Sequence, residues 1–423
     1  MSQTKMQETE IGLIPVDWDL VSFGDAFDFL STATYSRADL NGNGDILYVH
    51  YGDIHTKWNN FLDLEKNDLP SIDKEKQKKY SVINEGDLIM ADASEDYEGI
   101  GKSVEVKHLG GKKAISGLHT FLLRERKGSI VSGFRGYIHS NQLVKKQFDR
   151  LATGLKVYGV SKKNLKTVLI PIPKDPAEQS AIAQVLSDTD TLIESLNKLI
   201  EKKKNIKQGA MQELLTGRKR LEGFSREWEE KKLGDVIKLQ GGFSFKSEEF
   251  QKIGVPIIRI SNFDNDRVNL NDVVYSKKIN LSEDFIIKMG DVLIAMSGAT
   301  TGKVGIYNFS FESYQNQRVG KFVVLNKRLN DLKFISHQVR SNTFKEGVKK
   351  EIAQGAQPNI SGKQIEKIEM LFPKDPKEQS TIAQVLSDMD VEIEELERKR
   401  DKYIFIKKGM MQELLTGRIR LKY

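Results

Sequence analysis

The chain has 423 residues, of which 39% are hydrophobic and 30% charged, enough for a buried core in each of about two to four domains. No run nears the ~18 uninterrupted apolar residues of a membrane span and Met1 to Glu10 is polar, so neither a span nor a secretory leader is expected. Cysteine is absent, which excludes disulfide frameworks, thiol nucleophiles and iron–sulfur clusters, and the net charge of +7 suits a polyanionic partner or an ordinary lysine-rich surface equally.

In chain order, the first segment carries short β-prone runs, Ile46-Leu47-Tyr48-Val49 and Thr120-Phe121-Leu122-Leu123, between glycine- and asparagine-rich turns. It closes on Val168-Leu169-Ile170-Pro171. The next stretch, 173–221, predicts one long helix. Asp175, Pro176 and Glu178 read as N-cap, first-turn proline and the reaching-back acid of a capping box. Ile182, Val185, Thr189, Leu192, Leu196, Leu199, Lys203, Ile206 and Ala210 then alternate by three and four, as a coiled-coil seam does. Gly217 stands where a glycine C-cap belongs. A helix of about 40 residues would span roughly 60 Å.

The second segment repeats the first weakly. Trp18 and Gly24-Asp25 match Trp228 and Gly234-Asp235; Gly86-Asp87-Leu88-Ile89 matches Gly290-Asp291-Val292-Leu293; Val160-Ser161 matches Ile360-Ser361. Its own β-prone runs are Val255-Pro256-Ile257-Ile258 and Lys321-Phe322-Val323-Val324. The last stretch, from Pro373, repeats the helix strongly. About two-thirds of some 49 positions are identical at an offset of about 200, which chance cannot supply. Asp375, Pro376, Glu378 and Gly417 recur in their places. The seam becomes Ile382, Val385, Met389, Glu392, Leu396, Lys399, Tyr403, Ile406 and Met410. Two narrow apolar stripes are most simply buried against each other. The fold class expected is α+β, with two mixed α/β globules, 1–172 and 222–372, separated by two long helices, 173–221 and 373–423.

The doubled openings Pro173-x-x-Pro-x-Glu178-Gln179 and Pro373-x-x-Pro-x-Glu378-Gln379, each followed by Ile-Ala-x-Val-Leu-Ser-Asp and a Gln-Glu-Leu-Leu-Thr-Gly ending, are highly specific. On them the chain resembles, over essentially its whole length, the specificity (S) subunit of type I restriction–modification enzymes. The resemblance implies that each globule is a target recognition domain reading one half of a split sequence in double-stranded DNA. It implies that the helices pack as an antiparallel coiled coil that spaces the globules in a pseudo-two-fold internal repeat. It implies docking of two methyltransferase (M) subunits, with motor–nuclease restriction (R) subunits joining for cleavage. S-adenosylmethionine, ATP and magnesium would be used by those partners and no cofactor bound by this chain. A cytoplasmic protein without membrane contact is expected.

The search for chemistry in the chain itself agrees. Gly99-Ile100-Gly101-Lys102-Ser103 looks like the tail of a phosphate loop, but Asp96 stands where its first glycine is required. Thr300-Thr301-Gly302-Lys303-Val304 lacks the hydroxyl after lysine that would hold magnesium, and no Asn-Pro dipeptide of an adenine methyltransferase occurs. The six histidines form no HExxH pair, and His50 and His55 are read as ordinary residues sharing a loop. The chain is expected to be non-catalytic, with no catalytic and no metal-binding residue. A coiled-coil scaffold joining two unrelated globules is the alternative, which the divergence of the globules beside near-identical helices disfavours.

Base reading needs hydrogen-bonding side chains on loops or helix ends, with lysine and arginine on phosphates. The DNA-binding candidates in the first globule are Ser94, Glu95, Tyr97, Lys102 and His119; acids there would accept from cytosine amines. In the second they are Ser297, Thr300, Thr301, Lys303, Asn316, Gln317 and Arg318. For each of them a solvated turn is the ordinary reading and base contact the sharper one. Lys202, Lys203, Lys204 and Lys207 form either a solvated helix face or a phosphate track.

Overall fold

The computed structural model describes residues 5–421 except 43, 78, 97–98, 155–156, 265 and 354–358. The chain divides into two compact units, residues 1–196 with 399–423, and residues 197–398.

At the centre of the first unit lies strand β1, Leu88–Ala91, buried along its whole length. Its four apolar side chains leave no wet face, as befits a strand covered on both sides. Among the described residues it belongs to a five-stranded sheet in the order Phe27–Leu30, β2 (Thr120–Glu125), β1, Ser103–Val106, Phe61–Leu62. All pairs are antiparallel but the last. A smaller sheet lays Ala114–Ser116 parallel to Ile46–Val49. Helix α1, Gln142–Leu151, packs Leu143, Val144 and Phe148 into the core. The first half of helix α2, Pro176–Leu214, adds Ile182, Ala183 and Leu186, and Leu414 and Leu415 join from the far end of the chain.

The second unit repeats this plan with other residues. Strand β3, Val292–Ala295, is again buried throughout. Its sheet runs Ile237–Gly241, β4 (Val319–Val324), β3, Val304–Ile306, Arg267–Val268, Phe263–Asp264. Ser313–Gln315 lies parallel to Val255–Ile258. Helix α3, Asn342–Ala353, contributes Phe344 and Val348. Helix α4, Pro376–Leu414, contributes Ile382, Ala383 and Leu386 against Met211 and Leu214 of α2 and Leu215 just after it. The four β-prone runs read from the sequence all lie in strands.

Both long helices have 39 residues. The N-cap reading holds: Asp175 Oδ1 accepts from the Ala177 N–H at 2.9 Å and Asp375 Oδ1 from that of Lys377 at 3.0 Å. The capping-box role of Glu178 and Glu378 does not. Each carboxylate is buried and accepts both prongs of an arginine from the end of the other repeat, Arg420 for Glu178 and Arg220 for Glu378, the latter at 2.6 and 2.8 Å. A partner some 160 or 240 residues away is invisible to a local helix rule. The neighbouring glutamines tie in the globules. Gln179 accepts from the Val131 N–H and donates to the carbonyls of Ser129 and Pro173, while Gln379 does the same with Asp331, Leu329 and Pro373. Gly217 and Gly417 end the helices at φ +69° and +68°. An added Cβ would come 3.2 Å from Trp228 at the first and 2.3 Å from Pro15 at the second.

The helix faces differ by one step from the sequence reading. Leu192, Leu199 and Ile206 are exposed, and Leu196, Ile200 and Met211 are buried. Lysine in the seam hides the true register from a hydrophobic pattern. In the second unit Lys207 reaches Asp390, Lys203 reaches Glu392 at 2.5 Å and Lys204 reaches Glu397 at 2.7 Å, which sets α2 and α4 antiparallel there. Three of the four lysines offered as a phosphate track are thus bound to carboxylates. In the first unit Lys407 makes the matching bond to Asp190, which also accepts from the Tyr137 hydroxyl at 3.0 Å. Arg340 takes that place in the second unit, 3.5 Å from Asp390. Burial works against the charge on Asp390, but Lys207 and Arg340 outweigh it and hold the carboxyl below its usual range. Among the described residues no helix is long and apolar enough to cross a membrane.

Arg220→Ala strands the buried Glu378 charge and should cost about 3–5 kcal/mol. Urea unfolding would show it, and Arg220→Ala with Glu378→Gln should recover part of the loss. A second prediction concerns His337, which is 2% exposed, accepts at Nδ1 from Arg340 at 2.9 Å and meets the Ser387 hydroxyl at 3.1 Å. Burial, then the Arg340 charge, push its pKa down to about 3. The unfolded chain takes up a proton near pH 6.5 and the folded one does not, so stability is complete above that pH and falls below it. This residue alone should remove about 2 kcal/mol between pH 7 and 5. Unfolding free energies from urea titrations at the two pH values should converge by that amount in His337→Gln relative to the parent.

Candidate nucleic-acid interface

The two units hold a loop in the same backbone frame. The strand β1 ends at Ala91, whose N–H donates to the carbonyl of Lys102 at 3.0 Å, while the Asp92 N–H donates to that of His119 at 3.1 Å. In the second unit Ala295 donates to Lys303 at 2.9 Å and Met296 to Arg318 at 2.9 Å. A third bond secures each frame, Val160 N–H to Asp92 O and Ile360 N–H to Met296 O, both 2.9 Å. Gly101 and Gly302 close the loops at φ +73° and +83°. An added Cβ would lie 2.7 Å from Phe148 of α1 in one and 2.7 Å from Val348 of α3 in the other. The frames are alike, yet the loops differ in length and side chains: residues 92–102 against 296–303.

In the second unit the frame brings the candidates at 297–303 and 316–318 together. Ser297 is buried and its hydroxyl faces Arg318 Nη1 at 3.4 Å. Asn316 Oδ1 accepts, at 3.4 Å, from the Arg318 backbone. The Thr300 and Thr301 hydroxyls donate to the carbonyls of Ile260 and Gly298, at 2.9 and 2.7 Å, so they hold the loop's shape. Lys303, Gln317 and Arg318 are exposed. Tyr314 is buried, its hydroxyl bound to Ile279.

In the first unit Ser94 is buried in a short strand paired to Tyr158–Gly159, and its hydroxyl accepts from the Asp96 N–H at 3.3 Å. Glu95 is exposed, and Tyr97 lies outside the described residues. Lys102 occupies the place of Lys303 but is half-buried. Its ammonium donates to the carbonyl of His55 at 2.9 Å, and burial lowers its pKa. His119 stands at φ +56°, with Nδ1 3.2 Å from Asp92 and its ring 5.5 Å from that of Tyr51. Burial raises the pKa of Asp92.

Tyr51 and Arg259 were not singled out from the sequence, and His50 and His55 were read only as ordinary residues. His50 caps the short helix Tyr51–Thr56, accepting from the Gly52 N–H at 3.1 Å. Burial and then the charge of Arg37 lower its pKa. Tyr51 packs between His50, at 4.7 Å, and His119, and His55 Nε2 meets the carbonyl of Ala93 at 2.8 Å. His50 and His55 therefore share a helix turn and not a loop, each with a ring nitrogen already engaged. Arg259 stands at the corresponding place in the second unit, just after Val255–Ile258, and donates to the carbonyl of Asp272 at 2.8 Å. Only the pairing of the parallel strands brings these residues to the loops, and no local pattern announces it. The one grouping of potential metal ligands among the described residues is Asp63, Glu65 and His108. Asp63 there is occupied by His108 and Lys66, at 3.1 and 3.2 Å, in an ordinary surface charge cluster.

What the arrangement offers is two frames, each tied by three matching backbone bonds, that present different sets of hydrogen-bonding side chains. The family model for the type I restriction modification DNA specificity domain matches the chain twice, over residues 15–205 and 225–404. The MjaVIII specificity subunit of a type I restriction enzyme from Methanocaldococcus jannaschii is 27% identical over 97% of this chain and 94% of its own. The S subunit of a type I restriction–modification system from M. genitalium has a similar fold, with a TM-score of 0.60 at 15% identity over 97% of this chain and 98% of that one. A chain solved in a study of assembly and conformational transition of the type I R-M system superposes with a TM-score of 0.56 at 14% identity, covering 96% and 99%. Matched on both stretches and over most of its length, this chain belongs to the type I restriction modification DNA specificity family.

Proposed function

We propose that the chain is the DNA-reading specificity subunit of a type I restriction–modification complex, in which each unit reads one half of a bipartite target. The observation that carries this is the recurrence of one loop frame with two different loops: shared geometry with unlike side chains suits two unlike half-sites. In this reading residues 1–172 and 222–372 are target recognition domains. The helices of 173–221 and 373–423 pack as an antiparallel coiled coil in a pseudo-two-fold repeat and act as the spacer. The antiparallel ion pairs between α2 and α4 support that packing. Two methyltransferase subunits dock on the assembly and restriction subunits join them. S-adenosylmethionine, ATP and magnesium belong to those partners, and this chain reads DNA in the cytoplasm without catalysing methyl transfer or cleavage itself.

The reading is tested by exchange. Replacing residues 222–372 with the corresponding segment of a family member of different specificity should change one half of the methylated sequence and keep the other. Genome-wide mapping of methylated adenine checks this, and a change in both halves contradicts it. The frame gives a finer test. Gly302→Ala forces a Cβ into the left-handed region and against Val348, at about 1–3 kcal/mol. It should weaken discrimination in one half-site alone, and Val348→Ala should relieve the steric part.

A further inference from the structure

We propose that Arg318 reads a guanine in the half-site of the second unit, an assignment that rests on the DNA-reading function above. Its guanidinium has no carboxylate partner among the described residues, whereas Arg220, Arg340 and Arg420 each hold at least one. Among the described residues its one side-chain hydrogen bond is to the Ser297 hydroxyl at 3.4 Å, too long to consume the fork and placed to steer one edge of it. The backbone beneath it is fixed. Its carbonyl accepts from Met296 at 2.9 Å and the next residue, Val319, begins β4, paired to Ala295. A reading group needs such a fixed base, because a bidentate bond tolerates little displacement.

The neighbours favour a base edge over a phosphate. Arg318 follows Asn316 and Gln317, whose amides carry acceptors as well as donors. A phosphate can use only the amide donors, whereas a groove edge presents both polarities and can also use the Gln317 acceptor, the Asn316 oxygen being already turned to the Arg318 N–H. On such an edge the planar fork of arginine matches the O6 and N7 acceptors of guanine. Lys303, exposed at the end of the adjoining loop, supplies a point charge for the backbone.

The test uses the full chain assembled with its methyltransferase subunits, selecting bound duplexes from a random library and mapping methylation in cells. The parent complex should return a bipartite motif with a guanine in one half. Arg318→Ala should relax that position by roughly 5- to 150-fold and leave the other half unchanged. Arg318→Lys keeps the charge but loses the fork, and should relax the same position. A uniform loss of affinity on all sequences, with a shallower salt dependence restored by lysine, would mean a phosphate contact and would overturn the assignment. So would an unchanged motif, or a motif with no guanine in either half. A parent complex that returns no bipartite motif would instead refute the DNA-reading function itself.

Discussion

The structure depends on an exchange of buried charge between repeats. Glu178 is bound by Arg420 and Glu378 by Arg220, so the opening of each helical repeat is completed by the end of the other. A buried carboxylate is tolerable only with its partner in place, and removing one side leaves a charge that water cannot reach. In the first unit Arg420 also binds Asp17 at 2.8 and 2.9 Å, and this hydrogen bonding holds the Asp17 carboxyl below its usual range. In each unit, then, one arginine fixes a helix start. The glutamine beside each glutamate fixes the globule to the same place.

This arrangement alters the meaning of the repeat. Identity concentrated at the ends of the two helices suggests a surface meeting a common partner, but the same ends meet each other within the chain. Glu178, Gln179 and Arg420 are held alike with Glu378, Gln379 and Arg220 because each set completes the same buried contact. A binding role for the helices has to be sought on faces those contacts leave free, such as Leu199 and Ile206, or Ile404 and Phe405.

The long helices, their aspartate N-caps and glycine ends, and the four β-prone runs were legible in the sequence because each follows from a local pattern. The seam was legible only to within one position, since Lys207 occupies an inward place where a hydrophobic pattern expects a leucine. The loops of the candidate site were found, but the fate of their side chains was not. Lys102 and Lys303 occupy the same place in the two frames, yet one is tied to the carbonyl of His55 and the other is exposed. That difference is set by the helix Tyr51–Thr56, which precedes Lys102 by some 50 residues and reaches it only through the folded sheet. Tyr51 was missed, and His50 was read only as an ordinary residue, for the same reason.

The loop frame has a consequence for how such a protein changes. Its ends are fixed by the same three backbone bonds in both units, while residues 92–102 number eleven and 296–303 number eight. Closing a loop loses entropy only as the logarithm of its length, so the three extra residues cost about 0.3 kcal/mol. The closure cost of an insertion or deletion between the clamps is therefore small, while every such change redraws the surface the loop presents. Variation in the loop and persistence of the fold are governed by separate terms, and the chain can drift in one without approaching the threshold of the other.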